Sequence, residues 1–95
     1  MEKWTLGATL SFPEFVQAVA ENVGARGFPY PNRDCYIWIN ERQRIAELWH
    51  DTHNTRAELQ LHKMNDEHLL VAHFALTEQG VKDAAFSIND YFLKV

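Results

Sequence analysis

Asn40 to Thr52 reads NERQRIAELWHDT, and the fold turns on whether this stretch is helix or strand. Taken alone it suits a helix: Glu, Arg, Gln, Ala and Leu are good helix formers, and Ile45, Leu48 and Trp49 fall at helical spacing. Taken with its neighbours it suits a strand. Apolar residues from Cys35 onward recur with a period of two, which predicts strands over Cys35–Asn40, Arg44–His50, Ala57–Met64 and Glu67–Leu76.

A count across the turns favours the strands. With ER as the first turn, DTHNTR as the second and ND as the third, Cys35 faces Leu48, Ile37 faces Ala46, and Ala46 and Leu48 in turn face Leu61 and Leu59. On the last strand Leu70, Ala72 and Phe74 then face Leu61, Leu59 and Ala57. All these pairs share one side of the sheet. A slip of one residue at any turn would throw a strand's apolar set to the other side, so agreement across three turns supports the strands. The weak link is ER, which suits a tight turn poorly; a bulge or longer loop is the alternative there.

Working outward, GARGFPYPN at Gly24–Asn32 cannot continue a helix and reads as a connector. Before it, Ser11 and Glu14 have capping-box spacing, and Pro13 sits in a first turn, where its missing N–H costs little. Phe12, Phe15, Val16, Val19 and Val23 form one stripe, so a helix is expected from Phe12 to Val23. Ahead of the helix, KWTLGATL alternates Trp4, Leu6, Ala8 and Leu10 as an edge strand would. The C-terminal TEQGVKDAAFSINDYFLKV returns to helical spacing, with Thr77 as N-cap and Gly80 weakening the first turn by about 1 kcal/mol. A second reading stops that helix near Phe86 and restarts it at Ser87.

These elements predict one α+β domain over residues 1–95: an N-terminal helix, a four-stranded antiparallel β-meander and a C-terminal helix, with an extra N-terminal edge strand as an option. The helices make two layers with the sheet if they share a face, and three if they do not.

Composition narrows the function. The net charge of −4 comes from interspersed acids and bases, with no basic stripe to hold a phosphate backbone, so nucleic acid is not an expected ligand. A basic protein surface is compatible with that charge. No run of about 18 apolar residues suggests a membrane span, and the N-terminus lacks a signal-peptide pattern. Cys35 is the only cysteine, which excludes an internal disulfide and makes the cytoplasm the expected compartment. No glycine-rich phosphate loop or nucleophile elbow occurs, and no cofactor is expected.

The same register predicts what the other side of the sheet carries. Tyr36, Trp38, Glu47, Trp49, Glu58, His62 and His73 all fall there, with Ile45, Gln60, Leu69 and Val71. Large aromatics among carboxylates and imidazoles are typical of protein interfaces, although a covering helix or the Trp4 strand would turn the same residues into core. The histidines of WHDTHNTRAELQLH do not converge. His50 points to the apolar side, His62 to the other, and His53 lies in the loop between them.

The reading that fits best is a small non-enzymatic module that binds a larger protein as an inhibitor or regulator, of the antitoxin, immunity, accessory or phage-encoded type. Two alternatives remain. One is a metal-dependent or acid/base enzyme using His50, Asp51 and His53 or the Glu58–His73 pair. The other is a structural homodimer that buries the second face against its own copy.

Overall fold

The computed structural model describes residues 9–31, 34–64 and 69–93. The chain runs α1 (Phe12–Asn22), β1 (Arg26–Pro29), β2 (Cys35–Ile39), β3 (Arg44–Asp51), β4 (Arg56–Lys63), β5 (Leu69–Ala75) and α2 (Glu78–Leu93). It is an α+β fold. The strands form one antiparallel sheet in sequence order, β1-β2-β3-β4-β5.

Asn40–Thr52 is the β2–β3 turn and a strand, not a helix. The sheet has one strand more than expected, because the Gly24–Asn32 connector contains β1. The glycine and prolines that hid it are compatible with an edge strand, where Pro29 closes the strand and only one side needs partners. The KWTLGATL strand expectation lies outside the described residues except at Thr9 and Leu10, and Leu10 N–H donates to the Leu76 carbonyl at 2.7 Å.

Both helices begin as their sequences predict. In α1 the Ser11 hydroxyl accepts from the Glu14 amide at 3.3 Å, and the Glu14 carboxylate accepts from the Ser11 amide at 3.0 Å. Thr77 caps α2, its hydroxyl accepting from the Gly80 amide at 3.1 Å. α2 then continues without a break past Ser87. Gly80 does more than weaken the first turn, since a Cβ there would overlap the Ala75 carbonyl and press on the Phe15 ring. Its lower helix propensity is offset by the close approach of helix and strand that it allows.

The helices share one face of the sheet. Phe15 and Val19 of α1 and Ile88 of α2 are fully buried in one core with Ala46, Leu48, Ala57 and Leu59. Burying each large side chain contributes roughly 1.5–3 kcal/mol before chain entropy is counted. The result is two layers, with the second sheet face left open by α1 and α2. Two side-chain bonds tie the sheet to the end of α2: Arg44 donates to the Tyr91 carbonyl at 2.6 Å and Asn40 to the Phe92 carbonyl at 3.3 Å. A third joins the two helices, Asn89 donating to the Asn22 carbonyl at 2.8 Å. Among the described residues, no helix is long and apolar enough to cross a membrane.

Register agrees with expectation from β3 to β5 and departs from it at β2. Leu48 faces Leu59, Ala46 faces Leu61, and Leu61, Leu59 and Ala57 face Leu70, Ala72 and Phe74. The ND turn itself lies outside the described residues. In β2, however, Cys35 faces Trp49 and Ile37 faces Glu47, one residue away from the expected pairing. The cause is the loop, which contains three residues, Glu41–Gln43, instead of two. The Gln43 amide donates to the Asn40 carbonyl, Gln43 sits at φ 63°, and the Asn40 side chain accepts from the Arg42 and Arg44 amides at 3.0 Å. This is a turn followed by a left-handed residue, the usual three-residue hairpin connection, here without the customary glycine.

Candidate functional site

That one-residue difference divides the expected interaction residues. Tyr36 and Trp38 do not join the open face. They lie on the helix side, their rings 4.8 Å apart, with Trp38 only 1% exposed. Gly27, opposite Trp38 on β1, makes room for them, since a Cβ there would run into both rings. Trp38 is therefore core, and Tyr36 packs against the core.

Glu47, Trp49, Glu58, His62 and His73 do share the open face. Register places Cys35, Trp49, Glu58 and His73 in one row across β2 to β5, and Ile37, Glu47, Gln60 and Val71 in the next. A third row is Ile39, Ile45, His62 and Leu69. Two small polar networks bind the centre. The Glu47 carboxylate accepts from the Trp49 indole at 3.0 Å and contacts His62 Nε2 at 2.6 Å. The Glu58 carboxylate accepts from the Gln60 amide at 2.7 Å and contacts His73 Nε2 at 3.2 Å. Each imidazole meets its glutamate through Nε2.

These contacts fix side chains that would otherwise have several rotamers. The groups that hold the two carboxylates here are an indole, a side-chain amide and two imidazoles. Trp49 is half-buried, and Tyr30 stands beside it with ring centroids 6.2 Å apart. The sequence pattern missed Tyr30 because it sits between two prolines in the connector, outside any alternation. The face ends at β5 with Leu69 and Val71, which are 47% and 49% exposed.

The histidines of the β3–β4 hairpin separate as expected. His50 stacks on Phe12 of α1 with centroids 4.7 Å apart and planes 3° from parallel, and its Nδ1 lies 3.7 Å from an Asp34 carboxylate oxygen. His53 is exposed in the turn. Asp51 bonds within the hairpin, accepting from the Asn54 side chain and from Arg56 Nε, both at 3.0 Å. Those two bonds, the Asn54 one contributing most, hold its carboxyl down at about 2. Among the described residues, no group of three or more His, Cys, Asp and Glu side chains could hold a metal ion. The Glu58–His73 pair exists, but the neighbouring recess of about 280 Å³, lined by Trp49, His50, Asp51, Glu58 and Gln60, does not include His73.

No known protein family matches the chain, and neither the curated proteins nor the solved structures contain a significant match to it.

Proposed function

We propose that this protein is a small non-enzymatic binding module that docks its open sheet face against a larger protein, acting in the cytoplasm as an inhibitor or regulator. The observation that carries the reading is a sheet face uncovered by either helix, where half-buried Trp49 sits among hydrogen-bonded Glu47, Glu58, His62 and His73 and the apolar rim of Leu69 and Val71 stays exposed. An aromatic anchor with a satisfied polar surround and an apolar margin is the composition of a binding patch. Glu47 and Glu58, together with the net charge of −4, favour a partner with a basic surface.

The test is affinity capture from host and candidate target lysates with the wild type and with a Trp49→Ala, Glu58→Lys double variant, both shown to be folded by circular dichroism. Loss of an anchor costs about 2 kcal/mol, roughly thirtyfold in Kd, so a partner bound through this face should be retained by the wild type alone. Equal retention by the double variant would remove the open face as the site.

A further inference from the structure

Among the described residues the sheet ends at β1 on one side and β5 on the other, and these two edges are unlike. β1 is four residues, RGFP, with an arginine at one end and a proline at the other, both features that discourage pairing. β5 is seven residues, LLVAHFA, with no Asp, Glu, Lys, Arg or Pro, paired to β4 over its whole length without a bulge. Three consecutive side chains on β5 are exposed: Leu69 by 47%, Leu70 by 62% and Val71 by 49%.

They also point to both faces. On the helix side, exposure along one row climbs from Ala46 at 0% through Leu61 at 9% to Leu70, so the apolar row runs out from beneath the helical layer. On the open side, Leu69 and Val71 extend the rows of His62 and Gln60. A partner laid on one face would leave the other side of β5 wet. Covering both sides requires a partner that approaches edge-on, as an added strand does.

We infer that β5 is the surface through which two copies of this chain pair, antiparallel and edge to edge about a two-fold axis, joining their sheets into one. A register centred on Ala72 uses all seven residues. It sets Leu70 opposite Phe74 of the partner subunit on the helix side, and Val71 opposite the partner's His73 on the open side. No charge opposes a like charge, and the closed two-fold leaves neither β5 edge free to recruit a third copy. A second copy supplies an uncharged strand with the same alternation by construction. Pairing of seven residues belongs to the interfaces below about 1,200 Å² in total, so dissociation in the micromolar range is expected. In the dimer the Leu69 and Val71 margin of the open face is taken up by the second copy, while its centre around Trp49 stays available; the inference does not depend on the binding role proposed above.

Sedimentation equilibrium on the full chain from roughly 5 to 500 μM tests it, in the range where such interfaces dissociate. The mass should rise from 11.1 kDa towards twice that value. Val71→Lys on the open side and Leu70→Lys on the helix side should each weaken association at least tenfold while leaving the circular dichroism unchanged. Amide exchange at residues 69–75 should slow as the wild-type concentration rises. A wild type that stays monomeric throughout, or a dimer that both lysine variants leave intact, overturns the inference. So does β5 amide protection that is independent of concentration and lost on deletion of residues 1–8, which would assign the edge to the chain's own N-terminal segment.

Discussion

Trp38 and Trp49 sit on neighbouring strands of one sheet, and their surroundings could hardly differ more. Trp38 is sealed between the helices and Gly27, while Trp49 lies half-buried on the open face with its indole bonded to Glu47. Residue type and strand alternation are the same for both. What separates them is which side the β2–β3 loop assigns to each strand, so burial of an aromatic here is a property of loop length before it is one of composition.

The most direct way to break that contrast is to truncate both residues. Trp38→Ala should cost about 3–5 kcal/mol, a large part of a small domain's stability, and Trp49→Ala no more than about 1.5 kcal/mol. Urea unfolding measures both, and equal costs would refute the assignment of the two faces. Gly27 offers a milder probe of the same packing. Gly27→Ala should lose about 1–3 kcal/mol by forcing the Trp38 and Tyr36 rings aside, whereas Gly24→Ala, with nothing within 4 Å of the added Cβ, should stay within about 0.5 kcal/mol. A Gly27 variant as stable as the Gly24 variant would mean that the rings do not pass over β1.

The smallest expected effect belongs to the polar side. Asp51 is held at about 2 against an ordinary 3.8, so the folded state binds its proton less readily than the unfolded state does. Its stabilising contribution is fully present above pH 3.8 and disappears as the pH falls through 2. Asp51→Asn should therefore flatten the pH dependence of the urea midpoint between pH 4 and 2 relative to wild type. A steeper dependence in the variant would reverse the sign and remove the Asn54 and Arg56 bonds as its cause.

These contrasts also mark how far the sequence could be read. The capping box at Ser11 and the alternation from Arg44 to Ala75 are signals within a few residues or across well-specified pairings, and both are legible. Three core strands constrain one another, because an error of one residue in β3, β4 or β5 would put leucines into water. The site residues on those strands, Glu47, Trp49, Glu58, His62 and His73, are placed by the same constraint. β2 escaped it because its alternation is apolar on both sides: Cys35, Ile37 and Ile39 can face the core as plausibly as Tyr36 and Trp38. Only the loop decides, and Gln43 does not announce a left-handed conformation as glycine would. β1 was hidden for a different reason. Its Gly27 reads as a breaker, yet it is there to accommodate rings from the next strand.

The bonds from Arg44 and Asn40 to the last carbonyls of α2 join residues 47 and 52 positions apart. A helix end held by its own neighbours forms as soon as the helix does; this one must wait for a hairpin placed far upstream in the chain. The final turn of α2 therefore reports on the β2–β3 hairpin: its last carbonyls find these partners only once that hairpin is in place.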